Sequence, residues 1–402
     1  MHSMNEKPKA IAVQLTNRAE KIVRNGHPWV FSASISKIGK APRTGDLCVL
    51  FDRKTNKLFA TGLFDENSPI RIKILNLGRT IIDKDFFVQR ILAALETRTE
   101  LINSKTNSFR LIYGENDLLP GMIVDIYAGV TVLKLYAAIW FPYLEALTNA
   151  LAEILQPQAI VLRCSRNVLK EIKQQDLEGK VIFGELENEE VVFLENGIRF
   201  SANVVKGHKT GFFLDHRQNR IQVGKLCEDK SLLDVFAYAG GFSVHALVGG
   251  AREVTAVDIS EQALEMAKKN AALNSYSGQF NTIAAEAFAT LKNLISLQRK
   301  FEVVVIDPPS FAKSEKEIET ALKKYAELAT LGAQLTEKQG VLILASCSSR
   351  VSEEEFLNVH QDVFEGIVQE FDLIEVTTHD VDHPVLIPEA AYLKCAYYRR
   401  LK

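Results

Sequence analysis

From about Glu187 to the C-terminus the chain alternates short continuous apolar runs with longer amphipathic ones. The runs read "LLDVFAY", "GGFSVHALVG", "EVTAVDI", "SEQALEMAKKNAALN", "FEVVVIDPP", "EKEIETALKKYAELATLGAQLT", "GVLILASCS" and "SEEEFLNVHQDVFEGIVQEF". Strands apolar on both faces need cover on both faces, and the helical segments between them supply it. This rhythm predicts an α/β domain built on a parallel sheet. It constrains the fold more than any other feature, because it fixes where chemistry can sit: outside the carboxyl ends of the strands.

Upstream the rhythm differs. Residues 1–78 show Val, Ile, Phe and Leu at strand spacing between turn signals, as in "GHPWVFSASI" and "GDLCVLFDRKTNKLFATGLF", and read as a small β-barrel. A helix is expected over "DKDFFVQRILAALETRTELI", with Phe86, Phe87, Ile91, Leu92 and Leu95 on its apolar face. Three strand-like runs in "FRLIYGENDLLPGMIVDIYAGVTVLKLY", the helix "FPYLEALTNALAEIL", and the runs "AIVLRC" and "KVIFGE" follow. They suggest two strand groups around a helix, an α+β unit over residues 79–186, with the alternating domain over 187–402.

Charge separates these regions. Residues 1–80 hold 14 Lys/Arg and 6 Asp/Glu, a balance of +8, and the remainder carries −10. A basic front end fits a module that binds a polyanion. The N-terminal "MHSMNEKPKA" has no apolar leader and no run approaches a membrane span, so a cytoplasmic protein free of membranes is expected. Met4 is read as the native start. Five scattered cysteines with no C-x-x-C pair argue against a disulfide framework and against a zinc site, so no metal is expected.

The stretch "SLLDVFAYAGGFSVHALVGGAREVTAVDIS" carries the most chemistry. One strand ends at Asp234, a loop turns at Gly240-Gly241, a helix starts near Phe242, and a second strand ends at Asp258. An acid at that distance accepts hydrogen bonds from ribose hydroxyls. The loop lacks G-x-G-x-x-G, the glycine pattern that seats a dinucleotide pyrophosphate. A nucleoside without phosphates fits better, S-adenosylmethionine among them, and a nicotinamide-dependent dehydrogenase fits worst. Asp234 would then face the ligand's cationic end. In "VVVIDPPSF", Asp307 ends a strand before a rigid Pro-Pro loop, and Phe311 is placed to stack on a base.

The ordered series "LDVFAYAGGFS", "VTAVDIS", "AAEAF", "VVIDPPSF" and "LILASCSS" resembles class I S-adenosylmethionine-dependent methyltransferases, a Rossmann-like fold. "GHPWVFSASI" looks like the opening of a PUA domain, an RNA-binding barrel. "GENDLLPGMIVDIY", "VVKGHKTGFFLDHRQNR" and "DHPVLIPEAAYLKC" are similar to the bacterial large-subunit ribosomal RNA (cytosine-5) methyltransferase family.

The resemblance implies S-adenosylmethionine as cofactor. It implies large-subunit (23S) ribosomal RNA as partner, naked or in an assembling particle, and allows a homodimer. It places Asp258, with Ile259, at the ribose, and Glu286 and Ala287 at the adenine. Asp234, Phe236, Ala237 and Gly240 would wrap the methionine side, and Phe213, Asp215 and Arg217 would lie over the cofactor. Arg217 has a structural alternative, pairing with Asp215 or a helix end. Asp307 would bridge cofactor and target base, and Cys347 would be the nucleophile.

That last role has a chemical logic. Carbon 5 of cytosine is a poor nucleophile, and a thiolate added at carbon 6 activates it. A helix start with Ser352 and Glu355 spaced as a capping box, and Arg350 beside it, would favour the thiolate. The residue after Pro-Pro is Ser310, where many RNA cytosine-5 enzymes carry a second Cys. The group that removes the carbon-5 proton therefore stays open among His208, His216 and Asp215. A same-fold enzyme acting on a guanine nitrogen, and a catalytically silent RNA-binding protein, are the alternatives.

Overall fold

A computed structural model describes residues 7–401; the proposed start at Met4 lies outside them. The chain forms two compact units. The first holds residues up to Phe193 with Ala202–Phe213 and Val381–Ile387, and the second holds Leu194–Ser201, Leu214–Asp380 and the C-terminal stretch from Pro388.

The first unit opens with β1 (Ala10–Leu15), α1 (Asn17–Arg24), β2 (Trp29–Phe31), β3 (Ile35–Ile38), β4 (Leu47–Phe51), β5 (Leu58–Phe64) and β6 (Ile70–Leu77). The strands form one sheet in the order β2-β6-β5-β4-β1-β3. Alternation buries Val13, Leu15, Leu50 and Ile72 on one face. Helix α1 was not anticipated among these strands. Thr16 caps it by accepting from the Ala19 N–H, and only Ala19 and Val23 are buried, too short an apolar stripe to stand out in sequence.

Next come α2 (Lys84–Thr97), α3 (Thr99–Ile102), β7 (Ser108–Tyr113), β8 (Met122–Tyr127), β9 (Val130–Leu135), α4 (Leu144–Leu155), β10 (Ala159–Cys164), α5 (Arg166–Ile172) and β11 (Lys180–Gly184). The expected two strand groups are one sheet, β11-β10-β9-β8-β7, because α4 is a crossover that lays β10 parallel to β9. On α2 the buried face is Phe86, Phe87, Ile91 and Ala94, whereas Leu92 points outward. Helical spacing of three and four residues selects Ala94 over Leu92.

The hairpin β12 (Glu190–Glu195) and β13 (Ile198–Asn203) turns at Asn196-Gly197, both with positive φ. The second unit continues with α6 (Arg217–Leu226), β14 (Ser231–Val235), α7 (Gly241–Val248), β15 (Glu253–Asp258), α8 (Glu261–Ala272), β16 (Gln279–Ala284), α9 (Ala287–Ser296) and β17 (Phe301–Ile306). It ends with α10 (Ile318–Leu335), β18 (Thr336–Ser346), α11 (Glu353–Glu365), β19 (Phe371–Thr377) and β20 (Lys394–Arg400).

The sheet order is β16-β15-β14-β17-β18-β20-β19. Strands β14 to β18 are parallel, as the alternation predicts. The end departs from it: β20 lies antiparallel between β18 and β19. No crossover helix follows β19, so the returning chain pairs only by reversing direction. Leu233, Val304, Ile306, Leu342, Tyr325 and Phe356 anchor the core beneath the sheet. The strand order reverses between β14 and β17, and that switch point opens the crevice where ligands bind in such folds. Among the described residues no helix is long and apolar enough to cross a membrane.

Candidate active site

Strand β17 is buried along its length and stops at Asp307, because Pro308 and Pro309 cannot continue the ladder. Its neighbour β18 ends at Ser346, whose hydroxyl is bonded to Tyr325 Oη at 2.8 Å. The next residue, Cys347, therefore emerges beside Asp307. Cys347 Sγ lies 3.8 Å from Asp307 Oδ1 and 3.7 Å from His216 Nε2. His216 Nε2 is in turn 3.4 Å from Asp307 Oδ2. Burial alone would depress the His216 pKa, but the Asp307 and Asp215 carboxylates together outweigh it and the net shift is upward.

All five cysteines are free, and four of them are inert. Cys48, Cys164, Cys227 and Cys395 are buried, and burial pushes each thiol up, to about 12 for Cys164 and Cys227. Cys347 is the half-exposed one. Its loop is closed by Lys394, which is 3% exposed and donates to the carbonyl oxygens of Ser348 and Val351. Burial lowers the Lys394 pKa to about 8, against the raising influence of Cys347, Glu353 and Glu355. The capping box at α11 forms as expected: Ser352 Oγ accepts from the Glu355 N–H at 3.1 Å and Glu355 accepts from the Ser352 N–H at 2.8 Å. Arg350, expected to support the thiolate, is exposed. Lys394 is the buried cation of this loop, and it lies on β20, too far along the chain for local spacing to flag.

On the other side of the switch point, Asp234 is 1% exposed and accepts from both the N–H and the hydroxyl of Ser243 on α7. Burial pushes its carboxyl up to about 7, the Ser243 bonds oppose this, and Asp307 and Asp258 reinforce it. The chain then runs through Phe236, Tyr238 and Gly240 with φ of 66°, 47° and 76°. Left-handed backbone at two bulky residues is strained, and strain of this kind concentrates at functional loops. It aims the amides inward: Phe236 and Ala237 donate to the Val257 carbonyl, and Tyr238 donates to Asp258 Oδ2 at 2.9 Å. At Gly240 a side-chain carbon would sit 2.7 Å from Ala267 Cβ, so only glycine brings α7 this close to α8.

Asp258 also accepts from the Ser260 N–H at 2.8 Å. Ile259 beside it is 75% exposed. Glu286 caps α9, accepting from the Ala289 N–H at 2.8 Å, and Ala287 is buried against the core. Asp234, Phe236, Ala237, Gly240, Asp258, Ile259, Glu286 and Ala287 thus gather at the carboxyl ends of β14, β15 and β16.

The stretch around α6 turns out differently from expectation. Arg217 is 1% exposed and pairs with Asp380 at 2.5 Å, with Glu195 at 4.0 Å from its Nε. Asp215 accepts from Tyr392 Oη at 2.7 Å. Both are buried. Phe213 belongs to the first unit, stacked with His208 at 6.5 Å between ring centroids. Phe311 packs against Tyr325 at 5.3 Å with Lys324 over its ring. Two residues on α6 were not singled out from sequence. Asn219 bonds His216 Nδ1 at 3.1 Å, and Arg220 makes a bidentate pair with Glu195 at 2.6 Å per bond.

These groups define what the site can do. An acid, a thiol and an imidazole converge beside a loop built to approach a small ligand. The buried Asp234 carboxyl, with no cation bonded to it, and the glycine-tight turn fit a cationic nucleoside such as S-adenosylmethionine. His216, Asp307 and Cys347 also bring three metal-ligand types within 4.8 Å of one another.

Comparison with known proteins matches this layout. The S-adenosylmethionine-dependent methyltransferase family matches residues 110–349, and a PUA-like domain matches residues 13–77. A Deinococcus radiodurans protein named ribosomal RNA large subunit methyltransferase is 38% identical over 395 residues, covering 96% of this chain and 97% of its own. A ribosomal RNA large subunit methyltransferase I from Tolumonas auensis is 35% identical, covering 95% and 97%. A methyltransferase complexed with SAH superposes with a TM-score of 0.82 at 19% identity, covering 97% of this chain and all of that one. At that identity the likeness speaks for the fold alone.

Proposed function

Since the chain belongs to the S-adenosylmethionine-dependent methyltransferase family, we propose that it methylates carbon 5 of a cytosine in large-subunit ribosomal RNA through a covalent adduct at Cys347. The ribosomal RNA substrate follows the names of its relatives. The choice of base rests on one observation: the half-exposed Cys347 thiol, at the mouth of β18, 3.8 Å from the Asp307 carboxylate.

In this reading the target cytosine leaves its stack to enter the crevice. The Cys347 sulfur forms the Sγ–C6 bond while Asp307 relays a proton to ring nitrogen 3. The electron pair displaced toward carbon 5 makes that carbon the nucleophile. Bound S-adenosylmethionine supplies the methyl group. Loss of the carbon-5 proton to solvent water then expels the thiolate, ring nitrogen 3 returns its proton to Asp307, and the ring is restored, one difficult substitution having become two easier steps. Asp258 holds the ribose, Glu286 and Ala287 flank the adenine, and Asp234 faces the cationic end with the Phe236–Gly240 loop around it. His216, one of the three groups left open beside His208 and Asp215, touches both Cys347 and Asp307.

We assign RNA binding to residues 1–78, the central α+β unit to 79–186 and catalysis to 187–402, in a cytoplasmic enzyme acting on RNA or an assembling particle. Deleting residues 1–78 is expected to weaken RNA binding and flatten its salt dependence; unchanged affinity removes that segment from the mechanism. The decisive experiment is methyl transfer from labelled S-adenosylmethionine to unmodified large-subunit ribosomal RNA, with mass spectrometry of the product nucleoside. Wild type should yield 5-methylcytosine and Cys347→Ala none. A methylated guanine from both would move the activity to another base and reduce Cys347 to packing. No methylation from either would leave an RNA-binding protein.

A further inference from the structure

His216 occupies the position from which a base would draw the thiol proton, and its environment decides whether it can. The ring is 3% exposed and sits edge-on to Phe242 at 5.5 Å between centroids. The charged groups around it are Asp307 beyond β17, Asp215 in the preceding position, Arg220 one turn along α6, and the Cys347 thiol beyond β18. Its second nitrogen, Nδ1, meets Asn219 Nδ2 at 3.1 Å.

The orientation of that amide is set from behind. Asn219 Oδ1 accepts from Tyr397 Oη at 2.9 Å and from Thr377 Oγ1 at 2.5 Å. The Cys395 carbonyl, 3.4 Å away, and the Tyr397 hydroxyl also lie near Thr377, and the 2.5 Å contact gives the threonine proton to Asn219. With its oxygen taken by two hydroxyls, Asn219 presents N–H to the imidazole. An N–H donor at Nδ1 requires a bare lone pair there, so the ring proton sits on Nε2. An imidazolium would set two donors face to face inside the protein. Asp307 and Asp215 draw a second proton to the ring, and the Asn219 N–H opposes it at Nδ1.

We propose that Asn219 is a positioning residue that holds His216 in the Nε2–H tautomer, making the imidazole a fixed hydrogen-bond donor to the Asp307–Cys347 pair rather than the base that ionises the thiol. A nitrogen already carrying its proton takes no other. The thiol proton goes to the Asp307 carboxylate, an acceptor at 3.8 Å, and from there to ring nitrogen 3 as the Sγ–C6 bond forms. Adduct formation balances with these two groups alone, the carbon-5 proton leaves later to solvent water, and the Nε2–H remains to steady the thiolate on entry and departure. The same tautomer leaves no lone pair on Nε2 for a metal, so the three ligand-type groups do not make a metal site while Asn219 is in place.

The inference rests on the cytosine-5 reading for its purpose but not for its tautomer, and the test separates the two. Long-range proton–nitrogen NMR of the full chain, 15N-labelled at its eight histidines, reads the ring state directly. The signal lost in His216→Gln identifies the residue. Wild type at pH 7.5 should show Nε2 protonated and Nδ1 bare, and Asn219→Asp, whose carboxylate accepts from Nδ1, should put a proton on Nδ1. In wild type, a proton on Nδ1, alone or in an imidazolium, overturns the proposal.

Alkylation of Cys347 by iodoacetamide, followed on its peptide, gives a second measurement. His216→Gln keeps an N–H donor without titrating, so its rate should stay within about threefold of wild type, while His216→Ala falls about tenfold or more. A Gln variant as slow as the Ala variant would make His216 a base and sink the idea. For methyl transfer, Asn219→Asp should lower kcat about 10- to 100-fold with KM for RNA little changed, the range seen when partners orienting metal-bound imidazoles are lost. If another methylated base is the product, the cytosine-5 reading falls and the NMR still decides the role of Asn219. If 5-methylcytosine forms through Cys347 but the His216 proton lies on Nδ1, this proposal alone falls.

Discussion

Glu195, at the end of β12, and Asp234, near the end of β14, are both sealed from solvent in the second unit, at 0% and 1% exposure. Burial pushes both carboxyls up, yet they finish on opposite sides of their ordinary values. At Glu195 the bidentate Arg220 guanidinium and the His245 ring, 3.0 Å away, outweigh burial and hold the carboxyl well below the usual range. At Asp234 only Ser243 opposes burial, two further carboxylates reinforce it, and the group rises to about 7. One acid is packed together with its cation, and the other is left without one at the switch point. The first fastens α6 and α7 to the hairpin. The second has room for a cationic partner, and in the proposed reading the charged end of S-adenosylmethionine takes that place.

The largest expected effect tests the fastening side. Glu195→Gln strands the Arg220 charge in the interior and should cost about 3–5 kcal/mol, read from denaturant unfolding at pH 7. A loss within 0.5 kcal/mol, the range about which surface changes scatter, would mean that water reaches the cluster and that the contrast with Asp234 is false.

Asp234 should behave in the opposite sense. A carboxyl raised in the folded state contributes stability that is complete below about pH 4 and is lost as pH rises toward its folded value of about 7. Asp234→Asn copies the protonated form, so wild type should lose about 3 kcal/mol relative to the variant between pH 5 and pH 8. Calorimetric unfolding at the two pH values measures this. The same variant should bind S-adenosylmethionine at least about tenfold more weakly by titration calorimetry. A variant that is no more stable at pH 8, yet still loses the ligand, would show that the carboxyl is ionised at no cost.

The smallest effect refines the Asp234 side. Ser243→Ala removes one of the two donors to Asp234 and should cost about 1.5–2 kcal/mol at pH 8, where the acceptor is charged, but nearer 1 kcal/mol at pH 5. Equal losses at both pH values would mean that the serine serves packing and not the charge.

The two acids also differ in how far sequence alone reveals them. Asp234 ends an apolar strand before a glycine turn, a local pattern with a local meaning, and so do Asp258, Asp307 and Cys347. Glu195 has no such signature. Its partners Arg220 and His245 lie 25 and 50 residues away, on α6, which was not anticipated as a helix from the sequence, and on α7. The left-handed backbone at Phe236 and Tyr238 was hidden for a related reason: neither residue type advertises positive φ, and the fold imposes it where glycine would have announced it.

What the sequence by itself determined is what depends on near neighbours. Apolar continuity set the parallel strands, proline and glycine set their ends, Ser352 and Glu355 set the cap of α11, and Cys347 was left at the mouth of a strand. Tertiary structure alone decided how α6 meets those strand ends. It set His216 against Cys347 across 131 residues, Arg217 against Asp380 across 163, and Asn219 against Tyr397 across 178. Periodicity reports which face of an element is buried, because burial follows a regular spacing along the chain. Which polar side chain meets which, once the elements are packed, leaves no such spacing to read.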